Sequence, residues 1–361
     1  MKLTVMKPGF HTTVQDLGRP GWRHGGIPEG GAMDRIALRI ANLLVGNAEG
    51  AAALELTLAG PQLRLEQDTL LAVTGAEMAP TIDGEPLPRW RPVWAAAGAI
   101  LAFGQAVSGC RAYVAVAGGI DAEPALGSRS TDTRAGIGGI AGRPLRSGDV
   151  LACGSGSETA AAGPARAAAW RAALAARAAA GAGGRRPNWA APAWFAAPPR
   201  TLPASRSSSG NTAGTTVLRV VPGAEYGHFR DAARTAFMRE RYRVAPASDR
   251  MGVRLDGPPL ETSDSAELLS HGVIAGTIQV PHGGTPIILA ADCQTTGGYP
   301  KIAHVISADL PVLAQCRPGD WLTFTEVTPG EAQRLLLDQE REMRLLAAAI
   351  RLSSPFSHIL R

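Results

Sequence analysis

A short apolar run that ends abruptly in polar side chains is the first feature of this sequence that could support chemistry. Residues 286–305 have the sequence PIILAADCQTTGGYPKIAHV, in which the apolar run is followed by Asp292, Gln294 and Thr295. The Gly-Gly pair that comes next allows a sharp turn or the close approach of a ligand. We therefore predict that Asp292 is a catalytic carboxylate and that Gln294 and Thr295 bind an amide or carboxylate substrate. A purely structural turn is the alternative.

Lysine usage points to the same stretch. The chain has three lysines, Lys2, Lys7 and Lys301, and every other permanently positive side chain is arginine. An ammonium is compact and titrates when it is desolvated, unlike a guanidinium, and it contacts a phosphate or an oxyanion as a point charge. We predict that Lys301 is catalytic, with an incidental surface lysine as the alternative.

A second polar cluster lies in TTVQDLGRPGWRHGGIPEGGAMD, residues 12–34. Gln15, Asp16 and Arg19 are candidate substrate-binding residues, and Asp34 is a further candidate catalytic carboxylate. The glycines do not form a phosphate-binding P-loop, because the pattern G-x-x-x-x-G-K-[ST] occurs nowhere in the chain.

Two shorter stretches complete the candidate set. GSRSTDTRAGIGGIAGR (127–143) contains Arg129 and Ser130, which could hold an anion. APASDRMGVRL (245–255) contains Asp249 and Arg250, although neighbouring Asp and Arg residues more often form a local ion pair. The seven histidines and four cysteines are dispersed and form no metal-ligand spacing, so we predict no metal site and four reduced thiols.

The length of 361 residues favours two domains. We predict a first unit at 1–157, a linker at 158–215 and a second unit at 216–361. The net charge is +5, but residues 160–210 hold seven arginines and no acid, so the remainder of the chain is at −2 and a nucleic-acid-binding face is not expected. No stretch resembles a signal peptide or a membrane span, which predicts a cytoplasmic protein.

Short apolar runs such as TLLAVTG (69–75) and DWLTFTEV (320–327), cut by glycine and proline, are typical of a mainly β protein with few helices. Asp34 is expected to cap one helix over 33–47, and a capping box at 328–331 to begin another. Three motifs, D-R-x-x-x-R, L-x-G-P-x-L and R-x-G-D-x-L, recur in the same order and favour a duplicated β unit. They occur at 34–39, 58–63 and 146–151, and again at 249–254, 255–260 and 317–322.

Taken together, the motifs VQDLGRPG, GIPEGGAMD, GSRSTDTRAG, SDRMGVRLDGP, GTIQVPHGG and ADCQTTGGYPKI resemble the biotin-dependent carboxyltransferase/allophanate hydrolase subunit 2 family. The resemblance covers roughly residues 1–155 and 216–326. It implies a β-rich, pseudo-duplicated fold with two cyclophilin-like β-barrel units and a C-terminal helix.

Within that family, a stand-alone chain of this length is similar to the KipA type, the C component of ATP-dependent 5-oxoprolinase. That resemblance implies a hetero-oligomer with a KipI-like B component and a LamB/YcsF-like A component. The complex would couple ATP hydrolysis, with Mg²⁺ accompanying the ATP, to cleavage of 5-oxoproline to glutamate. Membranes and nucleic acids are not expected partners.

A lactam is a poor electrophile, and phosphorylation of its oxygen would let water attack the carbon. On this hypothesis Gln294 and Thr295 recognise the amide, Lys301 and Arg129 contact the phosphate, and Asp292 or Asp34 positions the water. Two alternatives stay open. One is a urea-type carboxyltransferase component, which would need biotin on a separate carrier. The other is a non-enzymatic regulator that binds a KipI-like kinase inhibitor.

Overall fold

The structure of the chain is a computed structural model. It describes residues 1–154, 188–197, 214–263 and 268–352, together with scattered helical positions between 168 and 179. Most of the predicted linker at 158–215 lies outside the described residues. Within the described part, no helix is long and apolar enough to cross a membrane.

The chain divides into two compact units. The first comprises Met1–Gly18, Asp34–Arg200 and Met343–Arg361, and the second comprises Arg19–Met33 and Thr201–Glu342. The glycine-rich segment 19–33 therefore belongs to the second unit, although it lies within the first predicted domain. Trp189 and Ala190, within the predicted linker, form a strand of the first unit.

The described part of the first unit contains two six-stranded sheets and the helix α1 (Arg35–Leu44), which packs on one of them. The sheet orders are β11-β1-β4-β9-β6-β7 and β12-β8-β5-β10-β3-β2. Its elements are β1 (Lys2–Lys7), β2 (His11–Gln15), α1 (Arg35–Leu44), β3 (Ala53–Thr57), β4 (Gln62–Leu65), β5 (Thr69–Glu77), β6 (Thr81–Ile82), β7 (Glu85–Pro86), β8 (Pro92–Ala95), β9 (Ile100–Ala102), β10 (Ser108–Val116), β11 (Val150–Ala152) and β12 (Trp189–Ala190).

The central strands of the second sheet are buried along most of their length. β5 and β10 are antiparallel neighbours, and α1 packs against both. This explains why TLLAVTG is an uninterrupted apolar run rather than an alternating one, since both faces of the strand are covered. Asp34 caps the N-terminus of α1, as predicted, because its Oδ1 atom accepts a hydrogen bond from the Ala37 N–H at 2.9 Å.

The second unit is a closed barrel with strand order β13-β20-β17-β18-β15-β14-β21, completed by parallel pairing of β13 with β21. A separate two-stranded sheet pairs β16 with β19. The elements of the second unit are β13 (Thr216–Pro222), α2 (Asp231–Arg239), β14 (Tyr242–Val244), β15 (Gly252–Asp256), β16 (His271–Gly272), β17 (Thr277–Gln279), β18 (Ile287–Leu289), β19 (Thr296–Gly297), β20 (Lys301–Val305), α3 (Leu310–Ala314) and β21 (Trp321–Glu326).

The last described element is the helix α4 (Pro329–Leu352). Its capping box forms as predicted: the Thr328 N–H donates to Glu331 Oε2 at 2.8 Å, and the Glu331 N–H donates to Thr328 Oγ1 at 3.2 Å. Three short 3₁₀ helices complete the described structure, at Arg23–Gly25, Tyr226–His228 and Ser307–Asp309.

One of the repeated motifs forms the same turn in both units. In R-x-G-D-x-L the aspartate carboxylate accepts a hydrogen bond from the arginine backbone N–H, at 2.7 Å for Asp149 and 2.9 Å for Asp320. The glycine between them has φ of +89° and +92° respectively, a conformation that favours glycine. The prediction of a mainly β fold is confirmed. A closed barrel is found in the second unit, whereas the first unit distributes its strands over two sheets.

Candidate active site

The polar stretch identified in the sequence follows β18 of the barrel. The chain leaves β18, turns through Asp292–Thr295, adds β19 to the small sheet and re-enters the barrel at Lys301 in β20. Lys301 pairs with Gln279 of β17, next to an irregularity in the register between Ile278 and Gln279. Such irregularities redirect side chains, and here one lies beside the only described lysine of the second unit.

Asp292 forms an ion pair with Arg250. The guanidinium Nε and Nη2 atoms donate to the two carboxylate oxygens, each at 2.7 Å, and both side chains are largely buried. The Asp292 N–H also donates to the Arg250 carbonyl at 2.9 Å. Bidentate contacts of this kind fix geometry more firmly than a single hydrogen bond. Both carboxylate oxygens of Asp292 accept hydrogen bonds from Arg250. The catalytic role of Asp292 toward water stays a prediction.

The glycine-rich segment of the second unit joins this ion pair. Arg250 Nη2 donates to the Gly31 carbonyl at 2.7 Å, and the Gly30 N–H donates to the Ala291 carbonyl at 3.2 Å. Gly30 has φ of +65°, and a Cβ there would lie 3.3 Å from Arg19 Nη1 and 3.6 Å from Asp292 Oδ1. The structure thus brings together three of the predicted stretches, and glycine is needed for both the backbone conformation and the close approach.

Lys301 lies at the centre of a second polar cluster. Its side chain is 1% exposed. The Nζ atom donates to the Gly297 carbonyl at 2.9 Å and lies 2.5 Å from Nε2 of His271. Lys301 and Asp292, predicted to act together, make separate sets of hydrogen bonds.

Glu225 completes the Lys301 cluster. Its Oε1 atom lies 3.0 Å from His271 Nε2, and its Oε2 atom accepts from the Lys301 backbone N–H at 3.0 Å. Burial lowers the pKa of Lys301, an effect that the Glu225 carboxylate opposes. Burial also lowers the pKa of His304, whose Nδ1 lies 3.1 Å from Thr277 Oγ1.

Gln279 brings an unpaired amide oxygen to the same place. It is 5% exposed, and its Oε1 atom is buried with no hydrogen-bond partner. A Cβ on Gly297 would lie 3.3 Å from that oxygen and 3.7 Å from Gln294 Nε2. Gly297 therefore packs closely beside two amide groups, and a side chain there would crowd the buried oxygen. A ligand with an N–H donor would satisfy the buried oxygen, which is costly to leave unpaired.

The other residues predicted around the turn have different neighbours. Gln294 and Thr295 are partly buried, and the Thr295 carbonyl accepts from the Val273 N–H at 3.0 Å. Asp249 is exposed and accepts from the Met251 and Gly252 N–H groups at 2.8 and 3.1 Å, which shapes the turn before β15. Their predicted roles in substrate binding stay predictions.

Asp16 organises a loop of the first unit. Its Oδ1 atom accepts from the hydroxyls of Ser128 and Ser130, both at 2.6 Å, and from the Gly18 N–H at 2.7 Å. Its Oδ2 atom accepts from the Arg129 N–H at 2.6 Å. The carboxylate is thereby fully engaged in holding residues 128–130. The Arg129 side chain is 41% exposed and lies 3.7 Å from Asp121.

Gln15 and Asp34 are also buried in the first unit. Gln15 Nε2 donates to Thr13 Oγ1 and to the Thr131 carbonyl, at 3.0 and 3.1 Å. The Asp34 N–H donates to the Tyr113 hydroxyl at 2.7 Å, and that hydroxyl donates to Glu55 at 2.8 Å. Burial, reinforced by Glu55, raises the pKa of Tyr113. These contacts hold α1 onto the sheet, and catalysis by Asp34 stays a prediction.

The sequence relationships agree with this architecture. The family model "Carboxyltransferase domain, subdomain A and B" matches residues 25–326. The chain belongs to this carboxyltransferase-domain family. It is 40% identical over 347 residues to the C component of 5-oxoprolinase from Escherichia coli, and the match covers 96% of this chain and 97% of that protein. It is 39% identical over 333 residues to the C component of 5-oxoprolinase from Haemophilus influenzae, covering 92% and 94%.

A solved structure of the family has the same fold. The urea amidolyase of K. lactis superposes with a TM-score of 0.79 at 30% identity, over 96% of this chain. The chain spans only 20% of that larger protein. The resemblance derived from the sequence motifs is thus confirmed at the level of the family.

The motifs of this carboxyltransferase-domain chain did not reveal Glu225, His271 or Gln279. They lie in separate segments, and the sequence gives no spacing that joins them to Lys301. Pairing of β17 with β20 and of β16 with β19 brings them together. A cavity of about 690 Å³ is lined in part by Gly298, Tyr299 and Pro300. These three residues directly precede Lys301 in the sequence. In the described residues no group of three or more His, Cys, Asp or Glu could hold a metal ion.

Proposed function

We propose that this chain is the C component of an ATP-dependent 5-oxoprolinase. In this proposal it acts with a KipI-like B component and a LamB/YcsF-like A component. The complex couples ATP hydrolysis, with Mg²⁺, to opening of the 5-oxoproline lactam and release of glutamate. The chain supplies part of the site that handles the lactam.

One observation carries the proposal: the end-to-end match to the E. coli protein named as the C component of 5-oxoprolinase, which covers 96% of one chain and 97% of the other. A carboxyltransferase role as part of a larger enzyme is less well supported, because the urea amidolyase match occupies only 20% of that chain.

The geometry around Lys301 supports a small amide as substrate. A lactam has an N–H donor and a carbonyl acceptor on the same edge of its ring. Gln279 Oε1 is a buried acceptor without a partner, and the neighbouring Gln294 amide offers N–H donors. Gly297 lies beside both amides, and its carbonyl accepts from Lys301 Nζ. We propose that the lactam amide binds beside Gly297, where its N–H reaches the Gln279 oxygen.

Lys301 serves proton transfer in this proposal. Its Nζ atom is buried against a histidine and a carbonyl, and neither group attracts a phosphate. A buried amine with a lowered pKa suits a general base, which takes a proton from attacking water. Asp292 then acts by holding Arg250 and the Gly31 loop, while the predicted phosphate contact of Arg129 remains a separate proposal.

Reconstitution tests the function. The chain is mixed with its KipI-like and LamB/YcsF-like partners, and 5-oxoproline-dependent release of phosphate and glutamate is measured while each protein is omitted in turn. We expect activity only when all three are present. Activity that persists without this chain would support the regulatory alternative, in which it only binds the KipI-like protein.

Adding avidin to the assay distinguishes the proposed function from the biotin-dependent carboxyltransferase alternative. Avidin sequesters biotin, so a biotin-dependent reaction would stop, whereas lactam cleavage by the proposed complex should proceed at an unchanged rate. Carboxyl transfer from a biotinylated carrier to urea, with no turnover of 5-oxoproline, would contradict the proposal.

A further inference from the structure

One ring nitrogen of His271 contacts two different groups. The Nε2 atom lies 2.5 Å from Lys301 Nζ and 3.0 Å from Glu225 Oε1. Glu225 is itself fixed, because its other oxygen accepts from the Lys301 backbone N–H at 3.0 Å. The three side chains therefore form a connected group in the second unit.

The contact with Glu225 favours one tautomer of His271. An ionised carboxylate has no proton to donate, so a favourable contact with Oε1 requires a hydrogen on Nε2 of His271. A nitrogen that carries this hydrogen cannot accept one from an ammonium group. In that tautomer the short contact with Lys301 is favourable when Nζ presents a lone pair, so this arrangement fits a neutral Lys301 amine.

We propose that His271, held by Glu225, is a positioning residue that takes the proton of Lys301 and exchanges it with solvent. When Lys301 is protonated, His271 exchanges protons with water to become the Nδ1–H tautomer, and its bare Nε2 atom then takes the proton from the Lys301 ammonium. This yields a neutral amine and an imidazolium whose Nε2–H is bound by Glu225. The imidazolium then releases its Nδ1 proton to water and becomes the neutral Nε2–H tautomer, so charge and protons balance.

Exposure supports this direction of proton flow. The Lys301 side chain is 1% exposed, whereas the His271 side chain is 45% exposed. The buried Lys301 amine is therefore in contact with a solvent-exposed histidine that can exchange protons with water. His304 is a further titratable group near this cluster, and its pKa is influenced by the charges of Glu225, Lys301 and His271. Burial lowers the pKa of His304, as it lowers the pKa of Lys301.

The consequence for catalysis rests on the proposed function. If the complex opens 5-oxoproline, neutral Lys301 removes a proton from the attacking water, and His271 carries that proton away before the next turnover. The protonation state of Lys301 is a property of the chain alone, so it can be measured without the partner proteins.

Selective labelling with ¹⁵N-lysine tests the protonation state directly. The chain has three lysines, and Lys2 and Lys7 are exposed residues of β1 that give reference signals. Loss of one signal in Lys301→Met assigns the third. We expect the Lys301 Nζ shift of a neutral amine at neutral pH. We also expect His271→Gln, which cannot take up the proton, to move the Lys301 titration to higher pH.

His228→Gln is the matched control, because it makes the same change at an exposed histidine of the second unit, and it should leave the Lys301 titration unchanged. An ammonium signal for wild-type Lys301 at neutral pH would overturn the proposal. So would a titration that is identical in the wild type and in a folded His271→Gln variant. The wild-type measurement decides the matter even if that variant does not fold.

Activity provides the second readout. In the reconstituted complex, His271→Gln should lower kcat about tenfold to a hundredfold, with KM for 5-oxoproline nearly unchanged and the pH optimum displaced. A change in KM alone would assign His271 a binding role and overturn the proton-transfer role. An inactive wild-type complex would count against the proposed function only, since the lysine titration stands independently.

Discussion

Arg250 binds both carboxylate oxygens of Asp292, at 2.7 Å each, and uses the same Nη2 atom to bind the Gly31 carbonyl at 2.7 Å. One arginine thereby fixes the end of β18 and the glycine-rich segment of the second unit. Removing Asp292 alone deprives buried Arg250 of its bidentate carboxylate, which is more damaging than removing both charges together.

We therefore expect Asp292→Asn to destabilise the protein by about 3 kcal/mol and Asp292→Asn/Arg250→Met to cost less than the sum of the single changes. Urea unfolding of the four proteins measures this coupling. Strictly additive losses would show that the pair does not stabilise the fold.

The four hydrogen bonds accepted by Asp16 predict a large structural effect. Asp16→Ala leaves the hydroxyls of Ser128 and Ser130 and two backbone N–H groups without their acceptor, which should cost about 3 kcal/mol or more of unfolding free energy. Asp68→Asn is the control, since Asp68 is exposed and accepts a hydrogen bond from the Ala97 N–H. Equal losses for the two variants would contradict the structural role of Asp16.

Gly297 and Gly272 allow a matched test of substrate binding beside Gly297, because they belong to paired strands of the same small sheet. A Cβ on Gly297 would lie 3.3 Å from Gln279 Oε1, whereas a Cβ on Gly272 meets nothing within 4 Å. We expect Gly297→Ala to raise KM for 5-oxoproline about tenfold, in line with the loss of about 1.4 kcal/mol of binding. Gly272→Ala should leave KM unchanged. A normal KM in both variants would mean that substrate does not bind beside Gly297.

The repeated R-x-G-D turn predicts a pH effect in the first unit. Hydrogen bonds from Arg143 lower the pKa of Asp149, which burial partly offsets. A carboxyl group with a lowered pKa stabilises the fold above its unfolded pKa, and this stabilisation is lost as pH falls through the folded pKa. Asp149→Asn should therefore reduce stability at neutral pH by about 1 kcal/mol, with the difference vanishing in acid. Thermal unfolding across pH measures it, and a difference independent of pH would contradict this account.

The sequence was informative wherever local chemistry decides structure. The capping box at Thr328, the Asp34 cap and the mainly β pattern all form as predicted. The neighbours of Lys301 could not be predicted, because Glu225 and His271 reach it only through strand pairing between distant segments. The same holds for Arg250 and Asp292, which are 42 residues apart in sequence. The sequence suggested a local ion pair between Asp249 and Arg250, whereas Arg250 in fact pairs with Asp292.

The central claim is that buried Lys301 is the catalytic amine of this chain. The most direct measurement compares Lys301→Met with Lys7→Met in the reconstituted complex, by the rate of 5-oxoproline-dependent ATP hydrolysis. Lys7 is exposed in β1 and provides a matched loss of charge. We predict that Lys301→Met lowers the rate about a hundredfold or more while Lys7→Met leaves it unchanged. Equal rates in the two folded variants would contradict the account.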